Sequence, residues 1–199
     1  MIVIGVTGNL ASGKSEVARI LKRKGAEVFD ADLAAKRVVG IGLPVYKAIV
    51  KIFGKTCLNK DKTLNRRKLA ERVFSHSADL KKLNTLTHPG VIFECFKMIE
   101  RTKNKKGILV LDVPLLYESK MENLADFTVV IDASQKNILR RTKRNGLPAD
   151  LTRRILSTQW PLAKKAKRAD FVIENNGTLK QLEKKVWEVV EKIKSKNET

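Results

Sequence analysis

Cysteine and histidine are nearly absent, with two of each in 199 residues. Cys57 and Cys95 cannot make a disulfide framework, and with His76 and His88 they form no metal-ligand spacing. A reduced, cytoplasmic setting is the expectation. Long hydrophobic runs are missing too. MIVIGVTG is too short for the apolar core of a signal peptide and lacks a preceding basic segment, and no stretch approaches a membrane span. There is no internal repeat and no low-complexity linker. Acidic residues are outnumbered: 21 Asp and Glu stand against 41 Lys and Arg, a net charge of +20. With 43% hydrophobic residues the chain can still bury one sizeable core, which excludes a disordered chain. A field of this sign draws phosphate-bearing partners, whether nucleotide, nucleic acid or acidic membrane, although lysine-rich faces are often simply solvated.

What is present is an alternation. Short apolar runs recur: IVIGV at 2–6, AEVFD at 26–30, GILVLDV at 107–113, DFTVVID at 126–132 and DFVIE at 170–174. Each is too short for a helix and apolar on successive positions, as in strands covered on both faces. Helical patterns lie between them, which predicts an α/β fold of three layers, a doubly wound parallel five-stranded sheet with right-handed crossovers. The first helix, KSEVARILKRKG, places Val17, Ile20 and Leu21 on one face and stops at Gly25. The last carries an apolar stripe of Leu179, Leu182, Val186, Val189 and Ile193. Two excursions interrupt this core of residues 1–32, 107–134 and 169–199. Residues 33–106 read as an inserted helical lobe, and 135–168 as a basic segment. One domain, 1–199, is expected.

Residues 8–15 read GNLASGKS, two glycines bracketing four residues before Lys-Ser, between the first strand and the first helix. A glycine-rich turn exposes consecutive backbone N–H groups, and the helix behind it adds the positive end of its dipole. Gly8, Asn9, Leu10, Ala11, Ser12, Gly13, Lys14 and Ser15 are therefore the expected ATP-binding residues. Lys14 reaches the β- and γ-phosphates, and the Ser15 hydroxyl binds Mg²⁺. This loop alone does not separate a kinase from an ATPase, a GTPase or a motor. The base-reading NKxD of GTPases is missing and the chain is short for a motor. A basic segment just before the last strand suits a small-molecule kinase, with arginines on a mobile lid over the transferring phosphoryl group.

FDADLAAKRV ends the second strand with Asp30 and Asp32, at the sheet edge where ligands of open α/β sheets bind. In an extended segment they would point the same way. One can take the proton of an acceptor hydroxyl; an N-cap for the next helix is the plainer alternative. Asp112, at the end of the third strand, can hold Mg²⁺ directly or through water, or cap a turn before Pro114.

The ordered set GVTGNLASGKS, DADLAAKRV, LNRRKLAERVF, LTHPGV, VLDVPLLYES, RRTKRNGL and RADFVIENNG resembles the dephospho-coenzyme A kinase family from end to end. The resemblance implies a P-loop kinase fold with a helical substrate lobe and a basic lid. It implies transfer of the ATP γ-phosphate to the ribose 3′-hydroxyl of dephospho-CoA, with Mg²⁺. It assigns Asp32 as the catalytic carboxylate, Lys14 as the phosphate-binding lysine, and Arg140 and Arg144 as lid arginines. Arg66 and His88 fall to acceptor binding, with a satisfied buried histidine as the alternative for His88. Three positions depart from the pattern: Asn9 replaces a glycine, Lys36 a histidine and Lys62 a turn glycine. The partners expected are ATP and dephospho-CoA, with no specific nucleic acid, no membrane, and a monomer that self-associates weakly at most. The rivals are a nucleoside or shikimate-type kinase, and a basic nucleic-acid binder using Trp160 and Trp187 as stacking platforms. The positions of both tryptophans suit packing better.

Overall fold

The computed structural model of the chain describes residues 1–197. Strands β1 (Ile2–Thr7), β2 (Glu27–Asp30), β3 (Ile108–Asp112), β4 (Phe127–Asp132) and β5 (Phe171–Glu174) form one sheet in the order β2-β3-β1-β4-β5. All pairings are parallel, as the consecutive apolar runs predict. The helices are α1 (Lys14–Arg23), α2 (Ala31–Val38), α3 (Pro44–Phe53), α4 (Arg66–Val73), α5 (Ser77–Thr102), α6 (Gln135–Arg144), α7 (Ala149–Thr158), α8 (Leu162–Ala166) and α9 (Leu179–Asn197).

On one face of the sheet, Ile4, Val6, Val110, Val129 and Ile131 pack against Val17, Ile20 and Leu21 of α1 and Leu182, Val186, Val190 and Ile193 of α9. Alternate residues such as Leu109, Leu111 and Val130 are equally buried, so the other face is covered too. Burying each such side chain contributes about 1.5–3 kcal/mol. The stripe on α9 differs from expectation at two positions. Leu179 begins the helix and is 52% exposed, and Val190 is fully buried where the expected Val189 only packs partly buried against the core. A 3.6-residue period from Val186 favours 190 over 189.

A second correction concerns the acids at the end of β2. The strand ends at Asp30 and α2 starts at Ala31, so Asp32 sits in a helical first turn and not in an extended segment beside Asp30. ADLAAKRV is rich in helix formers, and a carboxylate there complements the helix dipole.

The chain divides into two compact units, Met1–Asp30 with the chain from Phe96 onward, and Ala31–Cys95. The second unit has its own core of Ile49, Phe53, Cys57, Leu64, Leu69 and Val73. Its turn at 59–63 is closed by the Leu58–Leu64 bridge, and Asp61 accepts from Thr63 N at 3.0 Å and Thr63 Oγ1 at 2.6 Å. Lys62 takes φ 66°, the left-handed geometry that a turn glycine adopts freely. Pro89 lies inside α5, and a Cβ on the neighbouring Gly90 would stand 3.2 Å from Val38 Cγ1. LTHPG therefore lets α5 approach α2 closely. No helix among the described residues is long and apolar enough to cross a membrane.

Candidate active site

The loop from β1 to α1 leaves no room for side chains at its glycines. At Gly8 (φ 153°) a Cβ would come 2.4 Å from Ile131 O, and at Gly13 (φ 107°) it would come 2.1 Å from Asn175 Nδ2. Asn9, where glycine was expected, is not among the positive-φ residues of the described chain; Ala11 is, at 56°. The departure at Asn9 therefore adds no left-handed strain. The loop closes on itself through Ser12 N to Asn9 O, and Glu16 N and Val17 N to Gly13 O, each 3.1 Å. Lys14 is 7% exposed and its Nζ donates to Asn9 O at 3.1 Å, so the ammonium lies folded into the loop. Ser15 is exposed in the first turn of α1. The first N–H groups of a helix have no carbonyl within it, and with the dipole they make an anion site.

Residues that sequence reasoning missed hold the loop from behind. Arg141 Nη1 donates to Ala11 O at 3.1 Å and Ser12 O at 3.0 Å. The buried Asn175 donates from Nδ2 to Ser12 O at 2.7 Å, and Gln159 Oε1 accepts from Leu10 N at 3.0 Å. Asn175 belongs to the ENNG stretch that marks the family resemblance, which was a usable signal. Nothing in RRTKR singles out Arg141.

At the sheet edge, Asp30 and Asp112 are register partners on β2 and β3, and Asp112 is 5% exposed. No group of three or more His, Cys, Asp or Glu among the described residues can hold a metal. Mg²⁺ seldom uses such a cage: one or two protein oxygens plus substrate phosphates suffice. The Ser15 hydroxyl and the Asp112 carboxylate are oxygen donors of the type Mg²⁺ takes, so their chemistry suits that ion.

The basic segment divides in two. Arg140 and Arg144 are exposed, four apart on α6, and make no ion pair among the described residues. Others are structural. Lys165 is 0% exposed, reaching Pro114 O at 3.0 Å and Glu118 Oε1 at 2.9 Å. Glu118 also accepts from Trp160 N at 2.9 Å, and the Trp160 ring stacks on Tyr117 with centroids 6.2 Å apart. VPLLYES thus anchors the return of the basic segment. Trp187 packs on the sheet core, so neither tryptophan is an open stacking platform.

In the helical unit, Asp32 is exposed in the first turn of α2 and Lys36 follows one turn later on the same face. Lys36 and Arg66 line a pocket of about 440 Å³ together with Val39, Ile41, Asn59 and Leu64. Neither cation has a hydrogen bond or ion pair among the described residues. His88 lies on α5 outside that lining, half-buried, and makes no hydrogen bond among the described residues. Burial lowers its pKa from 6.5, so at neutral pH the ring is uncharged. Both thiols are buried, and burial pushes that of Cys95 up to about 12.

Comparison with known proteins shows the family. The family model described as CoaE, dephospho-CoA kinase, matches residues 2–181. The dephospho-CoA kinase of Lactobacillus johnsonii is 42% identical over 192 residues, 96% of this chain and 97% of that protein. The crystal structure of TT1252 from Thermus thermophilus superposes with TM-score 0.77 at 33% identity, covering 96% of this chain and 97% of the other. Dephospho-CoA kinase from Campylobacter jejuni gives TM-score 0.71 at 26% identity, with 98% of each chain covered. Shikimate kinase from Acinetobacter baumannii gives TM-score 0.54 at 17% identity, over 98% of this chain and 94% of that one, which is a likeness of fold alone.

Proposed function

The chain belongs to the dephospho-CoA kinase family, and we propose that its residues divide that family's reaction, ATP-dependent phosphorylation of dephospho-CoA, as follows. The reaction is the last step of coenzyme A synthesis. The loop Gly8–Ser15 binds the β- and γ-phosphates through its N–H groups, and Lys14 neutralises them. Asp32 takes the proton of the ribose 3′-hydroxyl while that oxygen bonds to the γ-phosphorus and the bond from phosphorus to the ADP oxygen breaks. Arg140 and Arg144 bind the oxygens of the transferring group. Ser15, with Asp112 directly or through water, would hold Mg²⁺, which would supply neutralisation of phosphate charge.

The helical unit receives the acceptor and 135–168 serves as the lid. Lys36 and Arg66 take the acceptor's pyrophosphate in the pocket they line, one helical turn from Asp32. His88, neutral and without a partner among the described residues, is a donor or acceptor for the same substrate. A cytoplasmic setting goes with two buried free thiols, and a monomer is the expected state.

The observation that carries the reading is the phosphate loop, with glycines that exclude any Cβ and Lys14 folded into it. The test is ADP release from Mg-ATP with dephospho-CoA, beside adenosine, shikimate and random DNA. Release that requires dephospho-CoA, with a product heavier by one phosphoryl group on the 3′-oxygen, is expected. Release without acceptor, or stimulated only by DNA, would overturn it.

A further inference from the structure

A phosphate loop keeps part of its N–H groups for its ligand, so its carbonyls need donors from elsewhere in the protein. Asn9 O and Gly13 O find theirs locally, from Ser12 N and Lys14 Nζ and from Glu16 N and Val17 N. Ala11 O and Ser12 O depend on side chains from distant segments. Arg141 donates to both from Nη1, and its Nη2 donates to Asn175 O at 2.8 Å. One planar guanidinium thus joins α6, the loop and the end of β5.

We propose that Arg141 is a positioning residue for the nucleotide: it fixes the N–H array of the loop and locks α6 to it. Arg140 and Arg144 then ride on a helix held in place before substrate arrives. Other contacts agree. The start of α6 is tied down by Ser134 N donating to Asn176 Oδ1 at 2.7 Å. The return of the basic segment is pinned by Gln159 to Leu10 and by Lys165 to Pro114 and Glu118. Both ends of 135–168 are therefore anchored, and the lid's motion is confined to the span around α7, after Gly146 at φ 73°. Charge-assisted bonds are stronger than neutral ones, and a lysine cannot reproduce three carbonyl contacts from one rigid fork. Burial pushes the Arg141 pKa down, yet a guanidinium stays charged at any physiological pH.

The inference rests on reading Gly8–Ser15 as the nucleotide loop, and ADP binding by the unaltered protein tests that first. No ADP binding there removes the reading itself. With binding established, Arg141→Leu is expected to raise the KM for ATP and the Kd for ADP at least tenfold while the KM for dephospho-CoA stays unchanged. Arg141→Lys, which keeps the charge and much of the volume, should fall between the two and carries the test if the leucine variant does not fold. Val186→Ala, a core change, should lower the melting temperature with the KM for ATP unaltered. Unchanged nucleotide affinity in either Arg141 variant, a lysine variant equal to wild type, or the same pattern in Val186→Ala would overturn the proposal.

Discussion

Three cations of the α/β unit and two of the helical unit are held in opposite ways. In the α/β unit, Lys14 lies inside its loop, Arg141 reaches three carbonyls and Lys165 is buried against Glu118 and Pro114. In the helical unit, Lys36 and Arg66 stand exposed at a pocket, and neither they nor the half-buried His88 have a partner among the described residues. A site fixed beforehand loses little freedom when its ligand binds, whereas open side chains are ordered only by the ligand. On the proposed reading, the nucleotide loop is pre-formed and the acceptor pocket is ordered by its substrate.

Asp32→Ala is the hardest blow to the acceptor side, expected to lower turnover by about 10²–10⁴-fold. ADP affinity should survive it; a near-normal rate would remove Asp32 from the mechanism. Arg140→Ala and Arg144→Ala should each slow turnover at least tenfold, about 1.4 kcal/mol of barrier. If neither slows it, α6 does not serve the transferring phosphoryl group. Lys36→Ala and Arg66→Ala should each raise the KM for dephospho-CoA about fivefold, near 1 kcal/mol, with the KM for ATP constant. Steady-state kinetics with either substrate varied would show whether they act on the acceptor alone.

Smaller effects bear on the helical unit's own stability. Lys62→Gly relieves a left-handed residue costing about 1–2 kcal/mol, against an entropic cost for glycine of about 0.5–1 kcal/mol. Denaturant melts should show a net gain near 0.5–1 kcal/mol, and a loss would mean the turn is relaxed as it stands. The Tyr46 hydroxyl donates to Lys62 O at 2.5 Å and holds that geometry. The least effect comes from His88. Its folded pKa lies below 6.5, so as pH falls below 6.5 the unfolded chain binds the proton more readily and stability declines. His88→Gln should lack that part of the decline; identical pH profiles would contradict a buried neutral ring.

Much of this was legible in the sequence, for definable reasons. Strands covered on both faces write themselves as consecutive apolar residues, and GNLASGKS carries its own spacing. The boundary at Asp30 and Ala31 was not legible, because DADLAA fits either an extended or a helical start. Nor was the division of the basic segment. Within RRTKR and KKAKR, neighbouring residues differ by about 100° around a helix, and only the fold decides which one faces the loop or the core. Lys62 was visible as a departure, and its strained φ explains why glycine suits the position.

The most direct measurement is a crossed calorimetric titration of ADP and of dephospho-CoA into the unaltered protein, Arg66→Ala and Arg141→Leu. The account predicts that Arg66→Ala weakens dephospho-CoA alone and Arg141→Leu weakens ADP alone. Loss of both ligands together in either variant would contradict a pre-formed nucleotide loop and an acceptor pocket that its own substrate orders.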